Sequence, residues 1–244
     1  MSNALDSSLN LKFIGQAHTP YNEKFAIPRQ PGLVKDAHGY IELYDKCHAN
    51  QMVEGLEQYS HLWVLFAFHA TADKGWKAMV RPPRLGGNKK LGVLATRSTF
   101  RPNPIGMSVV KLEDISTVNG TTRINISGMD LLNGTPIIDI KPYIPYADAI
   151  VDATSSIAQH AGKTIAVCFN PQSEKLLAQL ANKYPRLKTM ISQVLSQDPR
   201  PAYKRNSKDD KVYGMSLYNL NINWHMLDAT TAQVTVIEQR KDEN

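Results

Sequence analysis

Residues 110–126 read Val110-Lys111-Leu112-Glu113-Asp114-Ile115-Ser116-Thr117-Val118-Asn119-Gly120-Thr121-Thr122-Arg123-Ile124-Asn125-Ile126. Apolar and polar side chains alternate in Val110–Glu113 and again in Arg123–Ile126, the period of a strand with one face buried. Between them Asn119-Gly120 suits a type I′ turn, whose two central residues both need positive φ. The stretch predicts an antiparallel hairpin. Further on, a second Asn-Gly at Asn133-Gly134 leads into Ile137-Ile138-Asp139-Ile140, expected as a third strand of the same meander. Upstream, Leu62–Phe68 is apolar at every position. That predicts a strand covered on both faces, by the outer layer of a closed barrel or by a dimer interface, with Trp63, Phe66 and Phe68 in the core.

Helical periodicity is absent from the first 150 residues, which read as an all-β unit punctuated by Gly, Pro and Asn. Residues 151–163 are poor in large apolar side chains and rich in Ala, Ser, Thr and Gln, as a linker is. A smaller α+β unit is expected over 164–244. Thr164–Phe169 reads as a strand; Asn170-Pro171 supplies an N-cap and a first-turn proline for a helix carrying Leu176, Leu177, Leu180 and Tyr184 on one face. Pro185 interrupts it, Leu187, Met190, Ile191, Val194 and Leu195 resume the pattern, and Asp198-Pro199 ends it. Two strands then close the chain. Their apolar phase changes parity between Leu217 and Tyr218, which predicts a bulge or bend.

Of the 244 residues 42% are apolar and 20% charged, enough apolar surface for a core and too little charge for intrinsic disorder. The longest apolar run is far short of the ~20 residues of a membrane helix. Met1–Asp6 lacks the basic start and apolar stretch of a secretory signal, so a cytoplasmic protein is expected. Two distant cysteines, Cys47 and Cys168, and seven scattered histidines offer neither a thiol pair nor metal-ligand spacing, so no metal is expected.

Charge is distributed unevenly. The formal balance is +6, yet Lys74–Lys111 alone holds nine cations and no acid, leaving −3 for the remainder. Such a stretch points to a polyanion partner, against the plainer reading of a solvated basic face. Prolines stiffen it at Arg81-Pro82-Pro83-Arg84 and Arg101-Pro102-Asn103-Pro104, fixing φ and extending the residues before them, so the arginines are held in place.

These residues carry a resemblance. Pro28-Arg29-Gln30-Pro31-Gly32-Leu33, Arg81-Pro82-Pro83-Arg84-Leu85-Gly86-Gly87-Asn88, Ala95-Thr96-Arg97-Ser98, Phe100-Arg101-Pro102-Asn103-Pro104-Ile105-Gly106 and Asp139-Ile140-Lys141-Pro142-Tyr143 together resemble the TsaA-like domain family, whose best-known members are the TrmO-type tRNA methyltransferases. Asp198-Pro199-Arg200-Pro201-Ala202-Tyr203 resembles a loop of their C-terminal domain, so the likeness covers nearly the whole chain. The resemblance implies a mainly β protein: a closed TsaA-like β-barrel over 1–150, then a small α+β C-terminal domain, acting as a homodimer. It implies S-adenosylmethionine-dependent methylation of N6 of threonylcarbamoyladenosine beside the tRNA anticodon. No G-x-G-x-x-G follows a strand, so a Rossmann-type cofactor site is not expected.

By the same resemblance the cofactor is held by Pro28, Arg29 and Gln30, by His69 and Ala70, by Arg97 and Met107, and by Leu132, Asn133, Gly134 and Thr135. Arg81, Arg84, Asn88, Lys89, Lys90, Arg101 and Arg200 are the expected RNA contacts. The nitrogen to be methylated is a weak nucleophile, so some group must accept its proton. Asp198 and Tyr203 are the catalytic candidates, His69 is a third, and a group of the substrate itself is a fourth. Two other functions fit the composition, a non-catalytic RNA-binding barrel and an S-adenosylmethionine-dependent enzyme acting on a small anionic metabolite.

Overall fold

The computed structural model describes residues 9–44, 48–85, 89–205 and 209–240. In the first unit the strands are β1 (Gly15–His18), β2 (His38–Leu43), β3 (His61–Ala67), β4 (Met79–Val80), β5 (Leu91–Gly92), β6 (Ile105–Val118), β7 (Thr121–Ser127) and β8 (Thr135–Pro142). Three single-turn helices accompany them, α1 (Ala49–Met52), α2 (His69–Ala72) and α3 (Pro145–Asp148). Six strands pair in the order β1-β2-β7-β6-β3-β8, and β8 pairs back onto β1, so the ring of pairings closes. β4 and β5 form a separate ribbon within the long excursion between β3 and β6.

The hairpin of residues 110–126 is β6 and β7. Asn119 and Gly120 have φ of 52° and 84°, the two left-handed residues of a type I′ turn. Val110, Leu112, Ile124 and Ile126 are buried, and a register shift between Leu112 and Asp114 keeps Ile115 opposite Ile124. The next strand departs from the expected meander. β8 does not pair with β7; the connection crosses the end of the ring, with Gly128, Asn133 and Gly134 donating their amides to Ala37, Tyr21 and Ala17 carbonyls at 3.0, 2.7 and 2.8 Å, and delivers β8 between β1 and β3.

β3 also corrects its expectation. Leu62, Val64 and Phe66 point into the core, while Trp63, Leu65 and Ala67 on the other face are half-buried. Part of that outer cover is local: Trp63 Nε1 donates to Asp148 Oδ2 at 3.0 Å, and the Tyr143 ring lies 5.8 Å from the indole. An uninterrupted apolar run thus marks one buried face and one face shared with a short helix. Gly106 is required where it stands, because a Cβ there would come within 2.3 Å of the Phe66 ring.

The second unit holds β9 (Ala166–Phe169), α4 (Pro171–Leu180), α5 (Leu187–Ser196), β10 (Tyr213–Leu217), β11 (Leu220–Met226) and β12 (Thr231–Gln239). Asn170 caps α4 by accepting from the Ser173 amide at 2.8 Å. The sheet order is β10-β11-β12-β9, with β9 parallel to β12, and α4 and α5 lie against it. Three strands, not two, close the chain. The parity change at Tyr218 is a hairpin turn with Tyr218 at φ 53°, rather than a bulge within one strand. The units are stitched together where Tyr218 N donates to Pro20 O at 2.8 Å, Ser216 N to Glu23 Oε1 at 2.7 Å, and Gln193 and Arg186 reach Asp36 at 2.6 and 3.2 Å.

Candidate active site

Four segments that are far apart in sequence meet at one end of the ring. The 28–30 segment follows the β1 strand, and Arg97 comes from the excursion before β6. There Arg97 Nη1 donates to Gln30 Oε1. Ser108, on the inward face of β6 next to Met107, donates its hydroxyl to Asp130 Oδ1 at 2.6 Å. Asp130 leads into Leu132-Asn133-Gly134-Thr135 and lies close enough to Arg97 to feel its charge. Burial pushes the Asp130 carboxyl up to about 6, while the Ser108 hydrogen bond, its own amide and Arg97 act in the opposite direction.

Tyr21 lies under the same corner. Its side chain is wholly buried and its hydroxyl has no hydrogen-bond partner among the described residues. Burial raises its pKa, and Tyr218 and Asp130 add to the effect. The 132–135 loop is rigidly held: its amides are committed to Tyr21, Ala17 and Leu132 carbonyls, the Thr135 hydroxyl donates to Leu132 O at 2.7 Å, and Asn133 Oδ1 accepts from Thr19 N at 3.0 Å.

The remaining expected cofactor residues surround this corner less tightly. His69 and Ala70 open α2 and are exposed; Phe68 N donates to Pro104 O at 2.8 Å, so the arginine-proline loop sits beside them. Met107 projects outward and is 55% exposed. Pro28 and Arg29 line a different cleft of about 420 Å³, whose opposite wall is Val194, Gln197 and Pro199 of the second unit. A cleft of about 470 Å³ between the units, with His18, His38, Tyr40 and Tyr218 in its wall, contains none of the expected residues.

Of the expected RNA contacts, Arg81, Lys89 and Lys90 are exposed. Arg101 donates to Thr96 O at 2.7 Å, bracing its own loop. The backbone of Arg84 lies in a 3-10 turn, and Asn88 lies outside the described residues. Arg200 corrects its expectation. It is 0% exposed, gives Nε and Nη2 to the two oxygens of Asp198 at 2.7 and 2.8 Å, and has Asp209 at 3.5 Å, so it does not face a nucleic acid in this chain. Asp198, itself buried, is thereby occupied on both oxygens, which argues against it as a proton acceptor. Tyr203, by contrast, is 80% exposed.

Asp130, Ser108 and Tyr21 were not singled out from the sequence. A signal existed for the first. Asp130 is the one charged residue in Ile124–Leu131, shortly after an alternating strand and three residues before Asn133-Gly134.

The tRNA-methyltransferase O N-terminal domain model matches residues 16–149, and the TrmO C-terminal domain model matches residues 162–240. The chain belongs to the tRNA-methyltransferase O family. It is 48% identical over 224 residues to the tRNA (adenine(37)-N6)-methyltransferase of Escherichia coli K12, covering 91% of this chain and 95% of that protein. It is 46% identical over 213 residues to Pseudomonas aeruginosa RcsF, described provisionally as an S-adenosylmethionine-dependent methyltransferase, covering 87% and 90%. Among solved structures, a TrmO from Pseudomonas aeruginosa superposes with a TM-score of 0.79 at 37% identity over 96% of this chain and 98% of that one. Both units of the fold therefore have TrmO counterparts. No group of three or more His, Cys, Asp or Glu among the described residues is placed to hold a metal ion, and no described helix is long and apolar enough to cross a membrane.

Proposed function

We propose that this TrmO-family protein is a tRNA methyltransferase that moves a methyl group from S-adenosylmethionine to N6 of an adenine beside the anticodon, with threonylcarbamoyladenosine as the base it prefers. One observation carries the reading: Gln30, Arg97 and the 132–135 loop, which the family resemblance assigns to the cofactor, converge on one end of the ring. That corner suits a zwitterionic methyl donor. Arg97, partnered by Gln30, matches a carboxylate, and the 132–135 loop, its amides already committed, presents carbonyl oxygens that match an ammonium group. Half-buried Leu132 adds apolar surface. When bound, S-adenosylmethionine supplies an electrophilic methyl on a sulfonium. The protein orients the target nitrogen toward it, and that alignment provides much of the acceleration.

The tRNA is gripped by the Lys74–Lys111 excursion, whose exposed Arg81, Lys89 and Lys90 position phosphates while bases are read elsewhere. Tyr203, presented by the braced 198–203 loop, offers a face on which a base can stack. Two domains, 1–150 and 164–244 with the linker 151–163, share the work, the second closing the cleft at Pro28 and Arg29. A homodimer covers exposed apolar surface such as Trp76, Met79, Leu94 and Val151. Because its substrate is tRNA, the enzyme works in the cytoplasm.

The test is calorimetric titration with S-adenosylmethionine followed by methyl transfer to tRNA with and without the threonylcarbamoyl group. Cofactor binding with transfer to the modified adenine is expected. Binding of tRNA without cofactor affinity would instead make the protein a binding module.

A further inference from the structure

We propose that the Asp130 carboxylate accepts the proton displaced from the target nitrogen, with Ser108 positioning it. The inference rests on the functional reading above and names a group that reading leaves open. The geometry brings Gln30, Arg97 and the 132–135 loop of the expected cofactor site to this side chain. Ser108 fixes Asp130 Oδ1 at 2.6 Å; Arg97, hydrogen-bonded to Gln30, acts on the carboxyl electrostatically; and Asp130 sits two residues before Leu132. Ser108 occupies one oxygen, and no hydrogen bond from a described side chain to Oδ2 accompanies it. The buried, unpartnered Tyr21 hydroxyl is a second polar group in the same corner.

The other candidates are worse placed. Both oxygens of Asp198 are held by Arg200, and Tyr203 and His69 are exposed side chains on loop and helix ends. A base that works well has a pKa close to the operating pH, and burial brings the Asp130 carboxyl up to about 6. The charged and titratable groups acting on it are Arg97 from the excursion and Tyr21 from the segment after β1. In the transfer step the C–N bond forms as the C–S bond breaks, sulfur keeps the bonding pair and becomes a neutral thioether, and the N6 proton passes to Asp130. The protonated Asp130 then returns its proton to solvent.

Bringing a positive sulfonium near this corner stabilises the carboxylate over the acid, so binding should release a proton even where no transfer occurs. That gives a readout besides turnover. Full-length wild type, Asp130→Asn, Asp130→Glu and Ser108→Ala are titrated with S-adenosylmethionine near pH 6 in two buffers of different ionisation enthalpy. Single-turnover methyl transfer to tRNA is then followed from pH 5 to 8 at saturating donor.

Wild type should release more proton than Asp130→Asn, up to about half a proton, since a carboxyl with a pKa of about 6 is partly protonated at that pH. Asp130→Asn should bind the donor within about threefold of wild type yet transfer its methyl about 100-fold or more slowly, the scale of a lost general base. Asp130→Glu should recover part of the rate. Ser108→Ala, by removing a hydrogen bond that favours the ionised form, should move the rising limb of the rate profile to higher pH. Transfer by Asp130→Asn within about fivefold of wild type would overturn the proposal, as would loss of donor binding in that variant, which would make Asp130 a binding group. Wild-type protein that binds the donor and methylates nothing in tRNA would overturn the functional reading itself, and is told apart because the variants need not be compared.

Discussion

The molecule holds two constellations in which an aspartate meets an arginine, and they are built in opposite ways. At the 198–209 loop, Arg200 spans Asp198 with two short hydrogen bonds and has Asp209 beside it, all within the protein. At the end of the ring, Asp130 has one serine hydroxyl, a neighbouring arginine occupied with Gln30, and a buried phenol without a partner among the described residues. The first arrangement is saturated and serves as a brace. The second keeps polar groups in low dielectric without fully pairing them, which costs stability and leaves capacity for a ligand.

The contrast can be broken most forcefully at the brace. Arg200→Ala leaves two carboxylates facing a buried gap, and removing one partner of a buried pair costs about 3–5 kcal/mol. Urea unfolding of the variant should show that loss, and a change below about 1 kcal/mol would mean the pair is not holding the loop. At the open corner the sign reverses. Asp130 has a folded pKa raised from 3.8 to about 6, so the fold favours its protonated form and pays for ionisation. Its stability contribution is intact below about pH 4 and lost as pH rises through 6. Asp130→Asn should therefore be more stable than wild type by roughly 2–3 kcal/mol at pH 7, on ~1.4 kcal/mol per pKa unit, and about equal to it at pH 4. Equal stabilities at pH 7 would show that the carboxyl is not strained.

Smaller effects test the surroundings. Arg97→Lys keeps the charge and loses the planar fork, so donor affinity should fall about tenfold with the fold unchanged, read by calorimetry. For the excursion, about five neutralised phosphates give a slope of log K against log salt near −3 to −4, at ~0.7 per phosphate. Lys89→Ala with Lys90→Ala should make that slope shallower by roughly 1 without altering which tRNA is preferred. An unchanged slope would place the phosphates elsewhere.

What could be read beforehand follows the range of the interactions. The Asn119-Gly120 hairpin and the Asn170-Pro171 helix start were legible because both are decided within a few residues, by φ preferences and a side-chain cap. The pairing of β8 with β1 and β3 was not, since Asn133-Gly134 specifies a turn and says nothing about which strands receive the next one. The Leu62–Phe68 run could not reveal that its outer face meets Asp148, some eighty positions away. The site divides in the same manner. Gln30, Arg97 and the 132–135 loop came from motifs, whereas the importance of Asp130 rests on a serine 22 residues earlier and an arginine from another segment. Asp198 and Arg200 attracted notice as an acid and a cation in a proline-bound loop, and that proximity in sequence is what lets them satisfy each other.

Placing the chemistry at the open corner and the support at the closed one is the central claim. Single-turnover methyl transfer to tRNA, measured side by side for Asp130→Asn and Tyr203→Phe at saturating S-adenosylmethionine, tests it most directly. The account predicts a loss of about two orders of magnitude or more for Asp130→Asn, the scale of a general base, and a change within about threefold for Tyr203→Phe, whose ring can still stack. A large loss in Tyr203→Phe with Asp130→Asn near wild type would contradict it and return the chemistry to the C-terminal loop.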